Sequence, residues 1–277
     1  MITIKSKPEI EILCEGGKIL AGIMKKLGQI VAPGVTTGDL ENAARELAMQ
    51  AGGRAAQLGF VMPDGKKFPS ALCVSINSEI VHAASLPTRR INEGDVVSLD
   101  FVLEYPINEK FRTGRICNQH SKLGGYYTDM AITVPAGKIS KKAEELIKVT
   151  CECLRIGIEQ VKPGNTLYDI GSAIQKYAED RGYGVIRELV GHGVGYSLHE
   201  DPQVPNYAFT KKEMENAVLE PGMVLAIEPM ICLGNWRIKS VKNSFAFATV
   251  DGGLAAHAEH TVAVVDSGRV VLTEEGD

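Results

Sequence analysis

Four stretches of the chain carry apolar residues at helical spacing, and shorter apolar runs lie between them. Ile10, Leu13, Leu20, Met24 and Leu27 form a stripe that predicts a long first helix. Ser6-Lys7-Pro8-Glu9 ahead of it reads as a capping box with proline in the first turn. Leu40, Ala43, Ala44 and Leu47 predict a second helix. Leu146, Val149, Cys153, Ile156 and Ile158, within residues 142–161, predict a third, and Ile170, Ala173, Ile174 and Tyr177 a fourth. Apolar runs of strand length cover 71–76, 96–102 and 129–134 in the first half. In the second half they cover 185–190, 224–228 and 261–265.

The two halves are related. Pro33-Gly34-Val35-Thr36-Thr37-Gly38-Asp39-Leu40 returns as Pro163-Gly164-Asn165-Thr166-Leu167-Tyr168-Asp169-Ile170, an offset of 130 residues. Carried on to Gly52 and Gly182, the stretches share seven identities in twenty positions without a gap. In each copy Pro-Gly ends one helix and a Thr or Asp caps the next. Two such helix-helix-strand halves, about 6–135 and 140–272, predict a single pseudo-symmetric α/β domain over 1–277. Its sheet is curved and mainly antiparallel, with helices on the outer face. No linker or low-complexity segment divides the 277 residues.

Composition narrows the classes. The chain is 44% hydrophobic and 23% charged, with a formal net charge of −4, so it has core material and no basic footprint for nucleic acid. The basic pairs Lys25-Lys26, Lys66-Lys67 and Lys211-Lys212 read as solvated faces. Six cysteines include no CxxC pair, which predicts free thiols and a reducing compartment. No stretch has the length of a membrane span, and the first residues lack the apolar core of a signal peptide. A cytoplasmic protein is expected.

Acids interrupt four of the apolar runs or their edges. Asp100 closes Val97-Ser98-Leu99, Asp129 precedes Met130-Ala131-Ile132, Glu228 follows Leu225-Ala226-Ile227, and Glu259 opens His260-Thr261-Val262. A buried, unpaired carboxylate costs several kcal/mol or is forced neutral. Four in one sheet require a cation. With His192 they form a sensible ligand set for two adjacent divalent metals sharing carboxylates. His192 and His199 flank Gly193-Val194-Gly195, where glycines let backbone approach a ligand. His82, in Glu79-Ile80-Val81-His82, is a weaker candidate. His120, His257 and His260 read as surface residues or as outer neighbours of a site.

Together these motifs resemble the methionine aminopeptidases of the short, type I class. The likeness rests on Gly191-His192-Gly193-Val194-Gly195 with His199-Glu200-Asp201-Pro202, on Ile227-Glu228-Pro229, on Glu259-His260-Thr261, and on Cys73-Val74-Ser75-Ile76-Asn77 with Val81-His82. It extends from the first helix to Leu272, and the family's fold is the pseudo-symmetric pita-bread arrangement. The resemblance implies removal of N-terminal methionine from nascent proteins and peptides with a small second residue. It implies two divalent ions, of Mn, Fe, Co or Zn. Asp100 would chelate one, Asp129 and Glu259 would bridge, and His192 and Glu228 would hold the other. Glu228 would be the general base, His199 would contact the scissile carbonyl, and His82 would contact substrate near the leaving nitrogen. Cys73, Phe68, Leu198 and Phe245 would line an apolar methionine pocket. Nascent chain N-termini are the expected partners, a transient ribosome association fits that role, and neither nucleic acid nor membrane is expected. The chain is expected to act as a monomer.

Three positions depart from the family. Leu198 stands where an aromatic residue commonly precedes the second histidine, and Phe245 lies near a usual tryptophan, while Trp236 sits elsewhere. Ala83 replaces a usual glycine after His82. A polar segment, 104–125, separates Asp100 from Asp129, and its composition predicts a surface insertion, with a flap or partner-docking loop near the site mouth as the alternative. Two alternatives share the fold. Proline-directed peptidases usually carry an extra N-terminal domain, whereas here the first helix starts at Ser6. Non-catalytic relatives typically lose metal ligands, whereas this chain keeps all five.

Overall fold

The computed structural model describes residues 1–62, 65–107 and 116–274. Its helices are α1 (Lys7–Ile30), α2 (Thr37–Gln50), α3 (Lys141–Glu159) and α4 (Leu167–Glu179). Each starts where its cap places it. Ser6 donates its backbone N–H and its hydroxyl to the Glu9 carboxylate at 2.8 and 2.7 Å. Thr36 and Thr166 cap α2 and α4, and their N–H groups donate to Asp39 and Asp169 at 2.9 and 2.7 Å. The duplicated turns also match in backbone. Gly34 and Gly164 have φ of 96° and 88°, and Gly52 and Gly182 both have 79°, a conformation open to glycine.

The strands are β1 (Arg54–Ala55), β2 (Cys73–Ile76), β3 (Glu79–Val81), β4 (Val96–Tyr105), β5 (Tyr126–Pro135), β6 (Gly184–Val185), β7 (Gly191–Gly193) and β8 (Glu200–Val204). They continue as β9 (Val224–Ile227), β10 (Met230–Cys232), β11 (Ile238–Ser240), β12 (Phe247–Thr249), β13 (Ala255–His257), β14 (Glu259–Val265) and β15 (Gly268–Val271). The main sheet runs β1-β4-β5-β14-β9-β7-β8, with β2 beside β4 and β15 beside β14. Its strand pairs among the described residues are antiparallel. The halves meet where β5 pairs β14, Glu259 opposite Ala131.

Strand periodicity decides which side chains face the helices. Val97, Leu99, Phe101 and Leu103 of β4 point outward into a core with Leu20, Met24 and Leu27 of α1 and Leu40 of α2. Leu225, Ile227, Val262 and Val264 point outward into a second core with α3 and α4. Each such fully buried side chain contributes roughly 1.5–3 kcal/mol. Ser98, Asp100, Ala226 and Glu259 are thereby committed to the opposite, inner face. The result is the curved, mainly antiparallel sheet with outer helices expected from the sequence.

Two expected strands differ. The run 185–190 yields only β6, because Arg187 and Glu188 interrupt it. Arg187 turns out to pair with Glu179 at 2.9 Å and to lie over the Trp236 ring at 4.6 Å. The run 224–228 gives β9, which stops at Ile227, and after Glu228-Pro229 the chain enters β10 of a separate sheet, because proline has no N–H for the ladder. That break frees Glu228 from the strand. None of the six cysteines forms a disulfide among the described residues. Among the described residues no helix is long and apolar enough to cross a membrane.

The polar segment 104–125 leaves from the end of the β4–β5 hairpin, which pairs as far as Tyr105 and Tyr126. Residues 108–115 of that segment lie outside the described residues. Its second part is anchored. Asn118 is buried and donates to Gly125 O at 2.7 Å and to Tyr196 O at 2.9 Å. The His120 ring lies 5.0 Å from that of Tyr196. Residues 116–125 are thus tied to the loop before His199, where composition alone suggested a free surface excursion.

Gly17 tests the packing of α1. A Cβ there would stand 2.2 Å from the Leu272 carbonyl oxygen. Helix propensity favours Gly17→Ala by about 1 kcal/mol, but overpacking against backbone costs roughly 1–3 kcal/mol. We expect a net loss and a lower Tm by calorimetry. A Tm above wild type would contradict this packing.

Candidate metal centre and its cavity

Five neighbouring strands of the main sheet deliver five donors to one place. Asp100 comes from β4, Asp129 from β5, Glu259 from β14, Glu228 from the end of β9 and His192 from β7. Ala131 sits opposite both Asp100 and Glu259, so these three side chains form one row on the inner face. Asp129 lies two residues along the same face. Ala226 sits likewise between His192 and Thr261, with Glu228 two residues on. Alanines at both row centres leave space between the carboxylates.

The donors line a cavity of about 810 Å³ together with Gln57, Phe60, Met62, Phe68, Cys73, His82, Leu198 and His199. No lysine or arginine lines it among the described residues. Asp129 Oδ1 and Glu259 Oε1 are buried and accept no hydrogen bond from the described residues. Burial first, then the neighbouring carboxylates, push Asp129 and Glu259 well above the usual carboxylate range. Burial also raises Asp100, and raises Glu228 to about 8. Divalent cations fit this donor set, since buried acids without cationic partners are otherwise destabilised. His192 is prepared for one. Its Nδ1 lies 2.9 Å from Gly193 O, which can only accept, so the proton is on Nδ1. The lone pair of Nε2 then faces Glu228 Oε1 at 3.5 Å and Asp129 Oδ2 at 3.8 Å.

Both active-site histidine candidates reach the same cavity. His199 is exposed at the mouth, its ring 4.4 Å from that of His192 and 5.7 Å from Phe60. The pocket walls, then His192 and His82, lower its pKa. His82 has φ of 59°, a left-handed conformation uncommon for a non-glycine residue. Ala83 is not strained in that way, so the missing glycine has little consequence. Burial, then His257, lowers the His82 pKa to about 4. Of the expected methionine pocket, Phe68, Cys73 and Leu198 line the cavity, whereas Phe245 packs edge-on behind Phe68 at 5.3 Å.

Several site residues carry no signal in the sequence. Gln57 donates its amide to Asp100 Oδ1 at 3.0 Å. Thr261 Oγ1 accepts from Asp129 N–H and donates to Asp129 O, both at 2.8 Å. Asn206 donates to Glu228 O at 3.0 Å. Lys5 and Glu200 form a buried pair at 2.7 Å, and Glu200 also accepts from Ser197 N–H at 2.9 Å. The N-terminal segment therefore straps the loop that bears His199. Of the other histidines, His120 is exposed and His260 Nδ1 lies 2.8 Å from Thr273 Oγ1, whereas His257 is buried beside Glu228 and Glu259.

An antiparallel pita-bread sheet with clustered acids and imidazole on its inner face defines a dinuclear metallohydrolase. A model of metallopeptidase family M24 matches residues 11–110 and 116–266, passing over 111–115 within the polar segment. Methionine aminopeptidase of Clostridium acetobutylicum is 40% identical over 273 residues, covering 99% of each chain. That of Aquifex aeolicus is 40% identical over 276 residues, again 99% of each. The crystal structure of methionine aminopeptidase from Thermotoga maritima superposes with a TM-score of 0.86 at 37% identity, covering 99% of this chain and 100% of that one. A prolidase from Pyrococcus furiosus shares the fold at 23% identity and TM-score 0.69, with 66% of its own chain covered. The chain belongs to metallopeptidase family M24 and, within it, to the type I methionine aminopeptidases.

The raised carboxylate pKa values give metal binding a pH dependence. A raised folded pKa means that the native acids hold protons above pH 4, and a cation binds the deprotonated form. Metal stabilisation is therefore small at low pH and grows as pH rises through the folded pKa values. We expect the Tm gain from added Mn²⁺ over metal-free protein to be several degrees larger at pH 8 than at pH 5.5. A gain that is independent of pH, or that falls, would contradict the assignment of these acids to the metal.

Proposed function

We propose that the chain hydrolyses the peptide bond after an N-terminal methionine, with Asp100, Asp129, His192, Glu228 and Glu259 as the metal-binding residues. The observation that carries this reading is the convergence of those five donors, without a lysine or arginine among the described residues, on a mostly apolar cavity. Two divalent ions, when bound, supply an acidified water and a polarised carbonyl.

The protein groups do the rest. Glu228 directs one carboxylate oxygen toward His192 and the other toward His257, and as a carboxylate beside the ions it is placed to take a proton from the attacking water and deliver it to the leaving amine. His199 and His82 are neutral at pH 7 because their pKa values are lowered, and each can donate one N–H. His199 stabilises the oxyanion of the scissile carbonyl, and His82 holds substrate backbone near the leaving nitrogen. Phe68, Cys73, Leu198 and, behind them, Phe245 form the methionine pocket. A charged first side chain would be buried there unpaired. Leu198 in place of an aromatic residue makes the pocket looser. A free α-amine beside the acids restricts cleavage to the first residue. The polypeptides served are nascent chain N-termini with a small second residue.

The test is peptide cleavage by metal-loaded protein and by Glu228→Gln. Met-Ala-Ser should be cleaved, its acetylated form should be inert, and the variant should lose at least a hundredfold in kcat, about 2.7 kcal/mol of barrier. Near-normal kcat in the variant would remove Glu228 as base. Faster cleavage of X-Pro peptides than of Met-Ala-Ser would move the chain to the proline-directed class.

A further inference from the structure

One buried imidazole lies against the site without an assigned role. His257 ends β13 and is 2% exposed, and neither ring nitrogen has a hydrogen-bond partner among the described residues. Buried polar atoms in native proteins are nearly always paired, so such an atom calls for an explanation. The ring is held in place by its backbone. His257 N–H donates to Thr133 Oγ1 at 2.9 Å, and the Thr133 hydroxyl donates back to His257 O at 2.7 Å. Ser98 on β4 completes the chain, 2.7 Å from Thr133 Oγ1.

Nε2 of this fixed ring points between two acids. It lies 3.6 Å from Glu228 Oε2 and 3.7 Å from Glu259 Oε2. Glu228 thus offers Oε1 to His192 and Oε2 to His257. A shift of either carboxylate oxygen by about 0.7–0.8 Å brings it to the ~2.9 Å of an N–H···O bond. The ring does not line the cavity, so it stands behind the acids and not among the donors facing the ions. It also lacks the feature that prepares His192. An imidazole that binds metal usually has its other nitrogen held by a carbonyl or carboxylate. His192 Nδ1 has Gly193 O, and His257 Nδ1 has nothing comparable. A neutral imidazole carries one N–H, and for His257 the acceptors lie on the Nε2 side.

We propose that His257 is a positioning residue for the metal centre, its Nε2–H shared between Glu228 Oε2 and Glu259 Oε2 so that both carboxylates keep their other oxygens turned to the ions. This rests on the assignment of Glu228 and Glu259 as metal-binding residues. It makes the outer partner of the two acids an imidazole on β13, while Asp100 has its partner in the Gln57 amide within the cavity.

The test compares Mn²⁺ affinity of metal-free wild type, His257→Leu, His257→Asn and His257→Gln by competition with a chelating indicator. Leu removes the donor at similar volume, Asn is too short to present one, and Gln keeps an N–H near the Nε2 position. We expect Leu and Asn to lose about 10- to 100-fold in affinity, and Gln to stay within about threefold. The metal-free Tm of the Leu variant should match or exceed wild type, since an unpaired buried polar atom is removed. Wild-type affinity in both Leu and Asn would reduce His257 to packing. A loss in Gln equal to that in Leu would overturn the donor role. X-ray absorption of the Co²⁺ forms counting one imidazole fewer in Gln than in wild type would make His257 a ligand instead. If Leu fails to fold, Asn against Gln makes the same comparison. Wild-type protein that binds no Mn²⁺ would defeat the metal assignment itself, separately from any ratio between variants.

Discussion

The inner face of the sheet carries four carboxylates that share one buried space, and the rest of the molecule is arranged around that conflict. Asp100, Asp129, Glu228 and Glu259 are all at most 9% exposed. Like charges so placed repel, and burial disfavours each of them further. Apolar packing on the outer face forces them inward all the same. Val97, Leu99 and Phe101 on β4, and Leu225 and Ile227 on β9, cannot turn away from the helices without forfeiting their burial. A one-residue slip in register would place the acids in the helix-facing cores. The hydrophobic cores thus hold a polar arrangement that is unfavourable in the absence of cations, and the cations recover that cost on binding.

The pseudo-symmetry explains why the acids meet. β4 and β5 belong to the first half, β14, β9 and β7 to the second, and the seam falls between Ala131 and Glu259. Each half contributes an incomplete set of donors. A dinuclear centre at the seam also links the halves, beyond the shared strands and the Thr261 contacts to Asp129. The loop that carries His199 is held less directly. It depends on Lys5 from the N-terminal segment, on Glu9 through Tyr196 at 3.0 Å, and on Asn118 from the polar segment. Two regions far apart in sequence, residues 5–9 and the polar segment, therefore govern the placement of one imidazole.

The fold and the acids were legible in the sequence because both follow from local pattern. Apolar stripes mark all four helices, caps are legible ahead of α1, α2 and α4, and a carboxylate in an apolar run stands out wherever the partner lies. The duplicated Pro-Gly turns revealed the two halves. What stayed hidden depends on tertiary partners. Gln57, Thr261 and Asn206 are ordinary polar residues until the sheet closes and aims them at Asp100, Asp129 and Glu228. His257 read as a surface residue or a neighbour of the site, and only the β13 backbone contacts with Thr133 fix it beneath two acids. The run 185–190 misled because a strand and an apolar stretch broken by Arg187-Glu188 look alike until the trajectory toward Trp236 is known. Residues 116–125 looked free because the buried anchors of Asn118 are backbone carbonyls, which leave no mark in composition.

The central claim is that the buried acids are a place for two cations. An anomalous-diffraction map of protein crystals grown with Mn²⁺ tests it most directly. The account predicts two peaks, roughly 3.5–4 Å apart, both in contact with Asp129 and Glu259, with Asp100 on one ion and His192 and Glu228 on the other. Absence of a peak at these acids in crystals that hold Mn²⁺ elsewhere, or a single ion that touches neither Asp129 nor Glu259, would contradict it.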